Sequence, residues 1–532
     1  MIKKKSISRL GLASFAVLSL TVNAAGANKG VNILLIVADD MNYNAVGAFG
    51  CPVPNTTPNI DKLASQGIRF TNAHVSSAVC QPSRGAIMTG MYGHHSGIEG
   101  FEHYTGTELT LTEHLRNVGY MTGMLGKVTH SIPKYDAEVS KFDLVKDEMD
   151  LGFGRDPQKY YEFTKSFFQK AKVGDKPFFL MANSHDPHRP FAGSDDEKKS
   201  PRFVEAMGKS LIPNPSKIFK PEEIVVPGFL PDLPDVRKEV AQYYSSVRRC
   251  DDTVGEILRA LQESGLMKNT LIVFISDNGM SFPYSKTNCY LNSTKTPFIA
   301  KWPDVIQPGV DSENFISGID FLPTFLEVAG IPSTVNLDGR SFVSLLKKQK
   351  QDGRDKVFTQ FHETSGKDRY PMRAIQNKHF GYIFNPWSNG QRIFHNESQG
   401  GLTFKAMKAA AVQSNGIKQR VDFFLLRKVE EFYDFEKDPN ALHNLINEPA
   451  YADEINKMRN EMKNWMVKYK DPALTAFEQR NSAAALQEFM DEDVARTLQR
   501  RNMKSGTLKN PNKIKKKNKG VGAKKIQNEI EE

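Results

Sequence analysis

The chain has 532 residues, 39% of them hydrophobic and 25% charged, and a formal net charge of +10. That length holds a large catalytic domain plus a smaller one, and the composition is that of a soluble globular protein with no internal repeat or coiled-coil heptad. The charge does not select nucleic acid as a partner. Much of the excess sits in the terminal runs MIKKK and KNPNKIKKKNKGVGAKK, which read as solvated ends, and a basic exterior suits an acidic polymer equally well.

The first element is a leader. MIKKKSISR is positively charged, LGLASFAVLSLTV is an apolar run of 13 residues, and VNAAGA offers small residues for cleavage. The pattern predicts a signal peptide over 1–27, too short for a comfortable membrane span and without a lipoprotein cysteine. The expectation is an exported protein, periplasmic or secreted, with no membrane anchor. Cys51, Cys80, Cys250 and Cys289 are scattered and form no CxxC pair. They are neither a disulfide framework nor a thiolate metal site.

VNILLIVADD (31–40), GYMTGMLGK (119–127), KPFFLMANSHDPH (176–188) and NTLIVFISDNG (269–279) are apolar runs that end in polar residues. They read as buried parallel strands. Helical patterns lie between them, at TPNIDKLASQGIRF (57–70) and over 236–265. The alternation predicts a doubly wound α/β domain over 28–350, with ligands bound at the carboxyl ends of the strands. KVFTQFHE, RAIQNKHFGYIFN and EEFYDFEKDPNALHNLI predict a smaller antiparallel α+β domain over 351–475, with a helix around 450–469. A basic tail, helical and then disordered, is expected over 476–532, with the disorder from about residue 500.

The chemistry gathers at those strand ends. Asp39 and Asp40 close one strand, Asp277 and Asn278 another, and four hard oxygen donors at one sheet edge suit Ca²⁺ or Mg²⁺ rather than zinc. VCQPSRGAIMTG (79–90) adds Cys-x-Pro-Ser-Arg, followed by a helical run and Thr-Gly. A lone cysteine is ordinarily a small buried hydrophobe, but this motif is the one read by the enzyme that oxidises cysteine to formylglycine. The chain resembles type I sulfatases of the alkaline-phosphatase superfamily over roughly residues 30–470, closest to the heparan N-sulfatase (sulfamidase) branch that also holds bacterial ulvan-active enzymes.

The resemblance implies a mixed, doubly wound sheet of alkaline-phosphatase type. It also implies one Ca²⁺ on Asp39, Asp40, Asp277, Asn278 and the formylglycine derived from Cys80. A hydrated aldehyde has two hydroxyls, one to attack sulfur and one to lose a proton so that the aldehyde returns. A helix start at position 80 would add N–H groups and a positive dipole end for the anion. By the same resemblance Arg84 holds the formylglycine, Lys127 and Lys286 contact sulfate, His130 takes the second proton, and His185 protonates the leaving group. His130 departs by one residue from the commonest spacing. Lys295 is a rival to Lys286, but KTNCYLNSTKTP fits the family pattern with Lys286 first. Leu291-Asn292-Ser293 replaces the usual acidic-Gly-Gly.

His188, Arg189, His362 and Arg373 are expected around the substrate, or as braces between the domains. The implied partners are a sulfated carbohydrate and the maturation enzyme for Cys80. Lys286, where sulfamidases tend to carry Arg, leans the reading toward an O-sulfate ester such as ulvan, with N-sulfoglucosamine as the alternative. A formylglycine-dependent phosphonate hydrolase and a non-catalytic polyanion binder are more distant rivals.

Overall fold

The computed structural model describes residues 30–199, 212–332 and 337–504. The expected leader and the lysine-rich tail beyond 504 lie outside the described residues. Eight strands form the main sheet: β1 (Asn32–Ala38), β2 (Ile68–His74), β3 (Met121–Leu125), β4 (Leu144–Lys146), β5 (Phe178–Asn183), β6 (Thr270–Ser276), β7 (Phe298–Lys301) and β8 (Gly309–Ser317), in the order β4-β3-β5-β1-β6-β7-β2-β8. β7 runs antiparallel to β2 and β6, and the other pairings are parallel. The sheet is therefore mixed, as expected.

The apolar runs have their physical reason in the layers. β1, β5 and β6 are buried along their whole length. Successive residues of β1 feed two different cores, Leu34, Ile36 and Ala38 on one face and Ile33, Leu35 and Val37 on the other. A strand covered on both faces has no polar position. One predicted helix is shorter than its pattern. α1 (Pro58–Ser65) stops before Gly67, whose added Cβ would stand 2.3 Å from the Ala300 carbonyl oxygen. The chain then enters β2, where Ile68 and Phe70 alternate inward with period two.

Three further helices matter for the site. α2 (Cys80–Thr89) is buried at all ten residues. α3 (Pro157–Val173) and the long α4 (Pro234–Ser264) cover one sheet face.

The second sheet is antiparallel, in the order β12-β11-β10-β9, from β9 (Lys356–Glu363), β10 (Arg369–Asn377), β11 (Phe380–Phe384) and β12 (Glu430–Asp434). It joins the first beside the segment that leads into α2: Gln360 donates its N–H to the Ser76 carbonyl at 2.8 Å. The apolar core runs without a break into this sheet. Between β11 and β12 the chain inserts two helices, α5 (Leu402–Ala410) and α6 (Asn415–Leu426). α7 (Ala452–Lys468) stacks Trp465 on Phe358.

α8 (Ala483–Lys504) continues past the point where disorder was expected. Its cationic end is held by carboxylates: Arg500 pairs with Glu99, and Arg501 with Glu102 at 3.0 Å. All four cysteines are unpaired. Among the described residues no helix is long and apolar enough to cross a membrane.

Candidate active site

Strand register explains why the acidic residues meet. β1 and β6 are parallel, with Ala38 opposite Ser276. The residues that follow, Asp39–Asp40 and Asp277–Asn278, therefore leave the sheet edge side by side. Asp40 sits in the left-handed region (φ 68°) and its N–H donates to Asp277 Oδ1 at 3.1 Å. Asn278 Nδ2 donates to Asp40 Oδ1 at 2.7 Å. All four side chains are buried.

Cys80 opens α2 at the same edge, with Sγ 3.4 Å from Asp39 Oδ1 and 4.0 Å from Asp40 Oδ1. Arg84 comes one turn later, on the same helix face. Its Nε donates to Asp277 Oδ2 at 2.9 Å and its Nη1 to Asn183. Lys127, also left-handed (φ 48°), reaches Asp39 Oδ2 at 2.5 Å. Lys286 lies 2.9 Å from Asp40 Oδ1. Lys295, the rival lysine, instead sits over the Tyr43 ring at 4.6 Å.

Three buried carboxylates and three cations thus converge. Burial above all, with Asp39 beside it and against the pull of Lys286, pushes Asp40 up to about 7. Burial likewise raises Asp277 to about 8, against Arg84. The donor set fits a hard divalent cation. Oxygens of Asp39, Asp40 and Asp277 lie within 4.8 Å of one another. Asn278 Oδ1, buried beside them, accepts no hydrogen bond among the described residues. Oxygen-only ligation of this kind suits Ca²⁺.

The histidines divide differently from the sequence expectation. His130 packs edge-on against Phe101 at 5.3 Å, and its buried Nδ1 has no partner among the described residues. Burial, then Lys127, pushes it down to about 3, so the ring is neutral. His185, expected to protonate the leaving group, is engaged at both ring nitrogens. Its Nε2 accepts from the Lys127 backbone N–H at 3.1 Å, and its Nδ1 faces Glu148 at 3.8 Å.

His188 occupies the facing position. Its Nδ1 bonds the Arg189 carbonyl at 2.6 Å, which leaves Nε2 towards Asp40 Oδ2 at 3.9 Å, within the Asp39–Cys80 cluster. The loop that aims it is fixed by Asp186, which Arg249 and Arg155 hold at 2.6 and 3.3 Å.

Of the expected substrate contacts, Arg189 pairs with Glu239 at 2.6 Å. His362 and Arg373 are each set against a buried carboxylate. His362 lies buried 3.6 Å from Glu99, and Arg373 makes a two-pronged pair with Asp471 at 2.5 and 3.0 Å. His362 sets β9 against Glu99 of the larger domain, and Arg373 ties β10 to Asp471 within the second, where a buried cation needs a buried anion. Arg373→Met is therefore expected to cost about 3–5 kcal/mol of stability by leaving Asp471 uncompensated. Denaturant unfolding checks this. A rise in KM at unchanged stability would return Arg373 to the substrate.

One residue escaped sequence reasoning. Glu397, from the insertion between β11 and β12, stands 2.7 Å from Lys286 Nζ. Burial alone would raise its carboxyl, but Lys286 and then His188 hold it at about 2. Nothing in the local sequence around Glu397 marks it.

Fold and site together define a doubly wound α/β hydrolase with an acidic centre ringed by cations. Residues 31–331 match the sulfatase family model, and residues 281–388 match the model for the C-terminal part of N-sulphoglucosamine sulphohydrolase. The chain belongs to the sulfatase family, the sulfuric ester hydrolases. It is 30% identical to human N-sulphoglucosamine sulphohydrolase over 478 residues, covering 84% of this chain and 91% of the relative. It is 28% identical to an ulvan-active sulfatase of Formosa agariphila over 84% of this chain and 82% of that one. A structure solved in complex with its substrate D-glucosamine-2-N,6-O-disulfate shares the fold, with a TM-score of 0.59 and 19% identity over 83% of this chain and 99% of that chain.

Proposed function

We propose that this chain is an exported enzyme that removes sulfate from sulfated saccharides, with Cys80 as the precursor of a formylglycine. One calcium ion would be held by Asp39, Asp40, Asp277, Asn278 and residue 80. The observation that carries the reading is the meeting of Cys80 with four oxygen-bearing side chains and three cations at one sheet edge. A formylglycine hydrate would supply a hydroxyl nucleophile where a thiol serves poorly, and calcium, when bound, would neutralise the carboxylates and polarise sulfate oxygens.

The chain's own residues do the rest. Lys127 and Lys286 offer ammonium donors to the sulfate oxygens. Arg84 keeps residue 80 and Asp277 in register. His130 accepts a proton at Nδ1. His188, rather than His185, delivers one from Nε2 to the departing group, general-acid help worth ~10²–10⁴-fold. Burial and then Lys286 hold His188 near 3 in the free site, and a sulfate bound beside it favours its protonation. His185 positions the Lys127 backbone.

Ulvan-type O-sulfate is the favoured substrate class, because Lys286 is a compact point charge rather than the planar fork of an arginine. Sulfamate cleavage is the second reading, supported by the 30% identity to the human sulphohydrolase.

The test is the mass of the peptide containing residue 80, from protein made in its native host. It is expected about 18 Da below the cysteine form, the loss set by replacing thiol with aldehyde. An intact thiol in active protein would sink the mechanism. Sulfate release from ulvan oligosaccharides against N-sulfated glucosamine then separates the two substrate classes.

A further inference from the structure

An anion-binding pocket gains nothing from a carboxylate unless the carboxylate has work of its own. Glu397 is such a group. Its Oε1 lies 2.7 Å from Lys286 Nζ and accepts from Ser281 Oγ at 3.3 Å, and its side chain is 27% exposed. It is therefore open towards solvent while Lys286 beneath it is 2% exposed.

Its position is fixed from both sides. The preceding residue, Asn396, donates Nδ2 to Thr287 Oγ1 at 2.7 Å, one residue beyond Lys286. On the far side, the N–H groups of Leu402 and Thr403 donate to Glu239 at 2.9 and 2.7 Å, and Glu239 also holds Arg189. A side chain held between two anchors is preorganised to read a ligand rather than adapt to it.

A lysine ammonium has three donors. In Lys286 one is shared between the two Asp40 oxygens, at 2.9 and 3.0 Å, and one goes to Glu397 at 2.7 Å, which leaves one for a sulfate oxygen. A sulfate bound there and the Glu397 carboxylate are then neighbours on one cation. Whatever the sugar carries beside its sulfate must face Glu397.

We propose that Glu397 is a specificity-determining residue. Its carboxylate accepts a hydrogen bond from a hydroxyl or N–H on the carbon next to the one bearing the scissile sulfate, and it repels substrates with a second anionic group there. The inference rests on the reading of Lys286 as a sulfate ligand. It makes the enzyme selective for singly sulfated units by building repulsion against the doubly sulfated ones. Removal of a vicinal sulfate must then come first, so the class of reaction that supplies this substrate is another desulfation.

The test uses three aromatic probes: nitrocatechol monosulfate, with a neighbouring hydroxyl; nitrophenyl sulfate, with none; and nitrocatechol disulfate, with a neighbouring sulfate. Each is offered to the mature full chain and to Glu397→Gln, which keeps the shape and loses the charge. kcat/KM is read for turnover. Binding is read by calorimetry in Cys80→Ala and in Cys80→Ala with Glu397→Gln. The expected result is that Glu397→Gln lowers the preference for monosulfate over disulfate by at least about tenfold, since like charges side by side cost several kcal/mol. The ratio of monosulfate to nitrophenyl sulfate falls in the same direction.

If all three probes change by one common factor, Glu397 merely holds Lys286, and the specificity role is overturned while the sulfatase reading stands. If the mature chain and Cys80→Ala neither turn over nor bind any probe, Lys286 is not a sulfate ligand for such groups, and both readings fall.

Discussion

Cys80→Ala is expected to remove sulfate release from any substrate by at least about three orders of magnitude in kcat/KM, as deletion of a covalent nucleophile does. The fold should survive. The Cys80 side chain is small, and the substitution removes one buried sulfur from a helix held by Arg84 through Asp277 and Asn183. Cys80→Ser sharpens the result. Serine presents one hydroxyl where the hydrated aldehyde presents two, so it is expected to accept sulfate without expelling it, giving at most a single turnover. Steady-state sulfate release, with circular dichroism as the control for folding, checks both variants. Unchanged turnover in Cys80→Ala would return the cysteine to the role of a packing residue.

The second large effect is on stability. Calcium is expected to raise the unfolding temperature, and a chelator to lower it, because Asp39, Asp40 and Asp277 crowd within 4.8 Å in a buried site. With free Ca²⁺ at 100 times its Kd the gain is about 2.7 kcal/mol. Asp40→Asn keeps the shape, removes one charged ligand, and is expected to blunt the response. Thermal unfolding with and without Ca²⁺ reads this apart from any activity. A wild-type melting curve that ignores Ca²⁺ would remove the metal from the site.

These two expectations rest on features that are local in the sequence. An apolar run that ends in Asp-Asp or Asp-Asn announces a buried strand and the edge at which it stops, since only a strand covered on both faces is apolar throughout. Parallel pairing of β1 with β6 then brings the two endings together. The choice of Lys286 over Lys295 came from the resemblance to the sulfatase pattern, and Lys286 is the lysine that reaches Asp40.

Which way a side chain points was not legible. His185 and His188 are three positions apart in one short loop, and the resemblance gave the acid role to His185 and left His188 as a substrate contact or a brace. The Lys127 backbone N–H captures His185 Nε2, and the Arg189 carbonyl captures His188 Nδ1. Only these tertiary hydrogen bonds decide which ring nitrogen faces Cys80. His362 and Arg373 lie on a strand pattern that fits a pocket wall as well as a seam, and the choice was made by Glu99 and Asp471, which come from distant segments. Glu397 is the extreme case, an acidic residue in a polar stretch with no periodicity.

Taken by itself, the sequence determined the strands, the edge they share, and the Cys-x-Pro-Ser-Arg helix start, because burial and backbone pattern act over a few neighbouring residues. Tertiary structure alone decided which histidine faces the cluster, which cations are braces, and which carboxylate enters from the second sheet. Long-range ion pairs and hydrogen bonds select among rotamers that the local chain leaves equally open.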